Sequence, residues 1–153
     1  MTADPAAPPR RLLLIHGPNL NLLGRREPGI YGTRTLADIE TWVREQGAAR
    51  GWEVECHQSN HEGVLIDILQ ERAPLARGVI LNAGALTHSS YAIYDCLRAL
   101  EVPVVEVHLS NIHARPEPFR HQSVTAPAAL GVIAGLGPRG YVFAMEYLID
   151  RDE

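Results

Sequence analysis

Leu12-Leu13-Leu14-Ile15, closed at once by Gly17-Pro18, is a short run of branched apolar residues with no polar alternation. A strand that is apolar at every position is covered on both faces, which is the habit of a central strand in a parallel sheet. Four later runs also read as strands: Trp52 to His57, Gly78 to Leu81, Val104 to Leu109 and Leu130 to Ala134. Helical spacing separates them. Thr35 with Asp38 has the form of a capping box, and Leu36, Ile39 and Val43 follow at helical intervals. Val64, Leu65, Ile68 and Leu69 form a second apolar stripe that stops near Pro74. Residues 88–101 and 138–150 supply two more helices. Alternation of this kind predicts an α/β fold, a five-stranded parallel sheet with helices on both faces. Five strands in so short a chain predict the flavodoxin-like order 2-1-3-4-5.

Composition narrows what such a domain does. The 153 residues fit one core, so residues 11–153 read as a single catalytic domain behind a proline- and alanine-rich flexible tail, residues 1–10, that lacks the apolar centre of a signal peptide. A net charge of −4 gives no electrostatic case for nucleic acid or an anionic membrane. Cys56 and Cys96 have no motif partner and read as packing thiols of a reducing cytoplasm. All 14 basic residues are arginine. With no lysine, a Schiff base, a Walker lysine and a lysine general base are excluded. Arginine remains able to clamp carboxylates and stabilise anions.

Ligands of open α/β sheets bind beyond the carboxyl ends of the strands. Past strand 1 stand His16, Asn19 and Asn21, then Arg25, Arg26 and Tyr31 within a glycine-rich segment over 17–34. Past strand 2 come Gln58, Ser59 and Asn60, past strand 3 Asn82, Thr87 and His88, and past strand 4 His108, Ser110, Asn111, His113, Arg115 and Arg120. Donors, acceptors and arginines at one edge predict a small, polyhydroxylated, anionic ligand. Glu106 lies two residues before His108, on the same strand face, where it can orient the imidazole. Two other patterns are set aside. Gly135 to Gly140 spells G-x-G-x-x-G but ends the domain, with no ribose-binding acid after it. His57 and His61 have metal-like spacing but straddle a strand-to-helix boundary. On these residues a flavodoxin-like cofactor or signalling module competes with an enzyme. A receiver domain would need acidic residues after strand 1 and a lysine after strand 5, and neither is present.

Several long stretches then converge in fixed order: Gly17-Pro18-Asn19-Leu20-Asn21-Leu22-Leu23-Gly24-Arg25-Arg26-Glu27-Pro28 with Tyr31-Gly32, Gln58 to Gly63, Leu81 to Ser90, Glu106 to Arg115, Phe119-Arg120, and Gly131 to Gly135. Over residues 12–150 the chain resembles the type II 3-dehydroquinate dehydratases. The resemblance implies dehydration of 3-dehydroquinate to 3-dehydroshikimate without metal or cofactor, in shikimate biosynthesis or quinate breakdown. By the same resemblance Tyr31 is the base that takes the C2 proton, and Arg26 is its activating neighbour. Asn19 holds the water that stabilises the enolate, and His108 protonates the departing hydroxyl. Asn82, His88 and Arg120 bind substrate hydroxyls, Leu109 and Ser110 the carboxylate. Asp95 reaches a neighbouring subunit's site, Arg115 orders the region, and the assembly is a homododecamer, a tetramer of trimers. A tyrosine ordinarily ionises near pH 10, so a base at neutral pH needs a cation beside it; lowering the pKa by about two units takes roughly 2.7 kcal/mol in favour of the phenolate. The chain departs from the family pattern at His16, where asparagine is common, at Val124, and in a longer spacing from Arg115 to Arg120. A family member with altered catalysis fits the same residues.

Overall fold

The computed structural model describes residues 9–25, 29 and 33–153; Arg26 and Tyr31 lie outside the described residues. Five strands, β1 (Arg11–His16), β2 (Glu53–Gln58), β3 (Val79–Asn82), β4 (Val104–His108) and β5 (Gly131–Ala134), form one sheet in the order β2-β1-β3-β4-β5. Every pairing is parallel. The helices are α1 (Leu36–Ala48), α2 (Glu62–Arg72), α3 (Tyr91–Ala99) and α4 (Arg139–Asp152). None of the described helices is long and apolar enough to cross a membrane.

The unbroken apolar character of β1 follows from its place. Alternate side chains point to opposite faces. Leu12 and Leu14 join the core beneath α1 and α4, with Ile39, Val43, Tyr141 and Leu148. Leu13 and Ile15 join the core beneath α2 and α3, with Leu65, Leu69, Ile93 and Leu97. All four β1 residues are completely buried, and each contributes on the order of 1.5–3 kcal/mol of transfer free energy.

Local signals set the helix starts. Thr35 Oγ1 accepts from the Asp38 N–H at 3.1 Å while Asp38 accepts from the Thr35 N–H at 3.0 Å. The helix expected over 88–101 is shorter, because residues 84–88 wind as a tight 3-10 turn first. Ser90 then caps α3 by accepting from the Ile93 N–H at 2.9 Å. The segment after β4 also contains 3-10 turns, at Ile112–Ala114, Pro118–His121 and Ala126–Ala128. Gly17 lies where the β1 and β3 loops touch: a Cβ there would sit 2.3 Å from the Ala83 carbonyl oxygen.

Candidate active site

The carboxyl ends of β1, β3 and β4 open into one cleft. It is lined by Pro18, Asn19, Leu20, Asn82, Gly84, Ala85, His88, His108, Ser110, Ile112, Arg115 and Arg120. Seven of the residues singled out from the sequence therefore meet in one place: Asn19, Asn82, His88, His108, Ser110, Arg115 and Arg120. Leu109 is in the core beneath α4 and α1. Asp95 is exposed on α3 and does not line this cleft.

His108 and Glu106 are both buried at the end of β4. The His108 Nε2 lies 2.9 Å from Glu106 Oε2, so an N–H at Nε2 donates to the carboxylate and Nδ1 is the ring nitrogen left for proton transfer. The other Glu106 oxygen accepts from the hydroxyls of Ser123, at 3.0 Å, and of Thr125. Burial disfavours a charge on Glu106, but the donors from His108, Thr125 and Ser123 outweigh it and hold the carboxyl below its ordinary value. The dyad is thus a buried carboxylate saturated with donors and a histidine of fixed orientation.

His88 stacks near His108, with ring centres 6.4 Å apart and planes inclined by 20°. Its Nδ1–H donates to the Gln122 carbonyl at 2.6 Å. Burial keeps this imidazole below its ordinary pKa, so it stays neutral more readily than a free histidine. With Nδ1 committed to a carbonyl, Nε2 is an acceptor, suited to a hydroxyl. Also in the cleft lining, the Arg115 guanidinium is within 3.5 Å of Ser110 Oγ. Arg120 lies 3.2 Å from Glu117, an ion pair not aligned as a hydrogen bond, and its guanidinium covers the Phe119 ring at 5.0 Å.

Asn19 has φ 69° and ψ −5°, left-handed for a residue with a side chain. Asparagine tolerates this region better than most residues, and such strain gathers at functional sites. Asn60 Oδ1 accepts from the Asn19 N–H at 3.0 Å and from Gln58 Nε2 at 3.1 Å, and Gln58 Nε2 also donates to the Gly17 carbonyl at 3.2 Å. Gln58 and Asn60, candidate ligand residues by sequence position, therefore brace the β1 loop from outside the cleft. His57 pairs with Glu55 at 2.9 Å, and no metal-binding cluster occurs among the described residues. Sequence reasoning missed three supporting residues. Ser123 and Thr125 reach Glu106, and Tyr141 on α4 accepts from Asn82 Nδ2 at 2.8 Å.

A doubly covered parallel sheet with a histidine–carboxylate dyad and a cleft of polar groups at its carboxyl edge defines a flavodoxin-like α/β protein equipped for acid–base chemistry. Within that class the chain belongs to the Dehydroquinase class II family, whose model matches residues 10–149. It is 57% identical over 137 residues to 3-dehydroquinate dehydratase 1 of Agrobacterium fabrum, covering 90% of this chain and 94% of that one. Among solved structures it is similar to the type II dehydroquinase of Butyrivibrio crossotus, with a TM-score of 0.89, 44% identity and coverage of 92% and 98% of the two chains. The type II dehydroquinase of Propionibacterium acnes gives a TM-score of 0.88 at 41% identity, with coverage of 95% and 99%.

Proposed function

We propose that this chain is a hydro-lyase that converts 3-dehydroquinate to 3-dehydroshikimate and water, with residues 11–153 as its catalytic domain. Family membership supports the reaction. The observation that carries the chemistry is the buried Glu106–His108 dyad opening on a cleft of hydroxyl-binding groups. In this reading Tyr31, acidified by Arg26, removes the C2 proton. A proton beside a ketone is weakly acidic, so the enolate oxygen needs a donor already in place; Asn19, held in its left-handed conformation, positions the water that serves. His108 protonates the leaving hydroxyl, and Glu106 stabilises the imidazolium that precedes the transfer. Asn82, His88 and Arg120 bind the substrate hydroxyls, Leu109 and Ser110 receive its carboxylate, and Arg115 holds Ser110.

The functional unit is a homododecamer. Support comes from the sheet edge: among the described residues β5 pairs only with β4, and Leu130, Val132, Phe143 and Tyr147 are exposed around it. An apolar edge of this kind is covered in a stable assembly. Asp95, exposed on α3, is free to complete a neighbour's site.

The decisive assay follows the ultraviolet absorbance of the conjugated enone carboxylate formed from 3-dehydroquinate. Wild-type protein generates it, and borohydride traps no adduct because the chain has no lysine. Tyr31→Phe lowers kcat by about 10²–10⁴-fold with an unchanged circular dichroism spectrum. Wild-type turnover by that variant would refute the tyrosine base.

A further inference from the structure

Asn82 is the last residue of β3 and sits opposite His16, the last residue of β1, in the parallel register. Both are buried, and both approach Tyr141, a completely buried residue of α4. The contacts run in one direction. The Gly84 N–H donates to Asn82 Oδ1 at 3.2 Å, which identifies that atom as the oxygen. Asn82 Nδ2 donates to Tyr141 Oη at 2.8 Å. The Tyr141 hydroxyl, having accepted there, has its own hydrogen to give, and His16 Nδ1 lies 3.4 Å away. The two rings meet edge to face, 5.4 Å apart at 88°. His16 Nε2 then carries the ring proton and faces Glu40 at 3.8 Å, too far for a hydrogen bond.

A primary amide offers two donors and two acceptor positions. In Asn82 one of each is committed to Tyr141 and Gly84, leaving one donor and one acceptor for the cleft that the residue lines. Turning the amide over would set its NH₂ against the Gly84 N–H, donor against donor. We propose that Tyr141 and His16 are positioning residues that lock the Asn82 amide in one orientation, so that it presents a fixed donor–acceptor pair to a substrate hydroxyl. The proposal rests on the dehydratase reading and on Asn82 binding substrate within it. It also gives His16, a departure from the family pattern, a role: any side chain at that position must accept from Tyr141.

A double-mutant cycle tests this, with kcat/KM for 3-dehydroquinate measured on wild type, Tyr141→Phe, Asn82→Ala and the double variant. The loss of one neutral hydrogen bond predicts that Tyr141→Phe lowers kcat/KM about three- to tenfold. In the Asn82→Ala background the same change has no effect within about twofold, because the residue it acts through is gone. His16→Leu follows Tyr141→Phe, whereas His16→Asn, which keeps an acceptor, stays within about twofold of wild type. If Tyr141→Phe does not fold, His16→Leu with and without Asn82→Ala closes the same cycle. Equal losses in both backgrounds overturn the proposal and mark Tyr141 as general packing. Full activity of Asn82→Ala overturns the earlier reading that Asn82 binds substrate, and the proposal with it.

Discussion

Lowering the pH from 7 to 5 should destabilise this protein through one residue more than any other histidine. His16 is completely buried, and burial followed by the nearby Arg44 guanidinium lowers its pKa from 6.5 to about 3. The folded value is depressed, so between these two limits the unfolded chain binds the proton and the folded one does not. The stabilisation is fully present above pH 6.5 and is lost as the pH falls toward 3. At pH 5 the unfolded histidine is almost fully protonated and the folded one almost fully neutral. The linkage integral between pH 7 and pH 5 is then about 2 kcal/mol. For a chain of this size that corresponds to a fall in Tm of about 4–8 °C. The groups around the ring do not reverse the sign: Glu40 is 3.8 Å from Nε2, beyond hydrogen-bonding distance, and Tyr141 offers only a neutral hydroxyl. The assay is thermal unfolding of wild type and His16→Asn at fixed protein concentration, at both pH values. The other six histidines are common to both proteins, so their contribution cancels in the difference. Wild type should lose about 4–8 °C more than the variant. Parallel losses would show that His16 is not held neutral.

Thr125→Val removes one of the donors to the buried Glu106 carboxylate; denaturant unfolding should report a loss of about 1.5–3 kcal/mol, and unchanged stability would mean that Glu106 is not ionised. Gly17→Ala drives a methyl into the Ala83 carbonyl, so a loss of at least about 1–3 kcal/mol or a failure to fold is expected; a variant as stable as wild type would exclude this close approach of the β1 and β3 loops. Asp95→Ala should lower kcat/KM while leaving the assembled form intact by light scattering, and full activity would remove Asp95 from any shared site.

The order of strands was readable because it depends on features local to each run. Leu12 to Ile15 has no polar face to expose, so it belongs at the centre of the sheet, and β1 does pair on both sides. The helix expected from residue 88 starts later for a local reason too. His88 still belongs to a 3-10 turn, and Ser90 begins the helix anew. The cleft was readable because its lining lies just past strand ends, a position that topology alone defines. Its supports were not. Tyr141 is 59 residues from Asn82, and only the packing of α4 on the sheet brings them together. Gln58 and Asn60 occupy the expected sequence positions, yet their side chains turn toward the β1 loop backbone. Position beyond a strand locates a residue at the edge; the direction of its side chain depends on neighbours that come from elsewhere in the chain.

The segment 122–126 illustrates that dependence in the chemistry itself. Its backbone and side chains serve both histidines. The Gln122 carbonyl accepts from His88, the Val124 N–H donates to the Thr87 carbonyl at 2.8 Å, and the Ser123 and Thr125 hydroxyls donate to Glu106. One short stretch therefore sets the tautomer of His88 and, through Glu106, the orientation of His108. Neither imidazole is positioned by its own element alone. This accounts for the hydroxyl-bearing residues of the segment: apolar replacements would leave one oxygen of the buried Glu106 carboxylate without its donors, and burial would then favour the protonated form. A protonated Glu106 can no longer accept the Nε2 hydrogen as a charged partner, and His108 would lose the anion that stabilises its imidazolium. In the proposed reaction the segment therefore acts through the charge of Glu106.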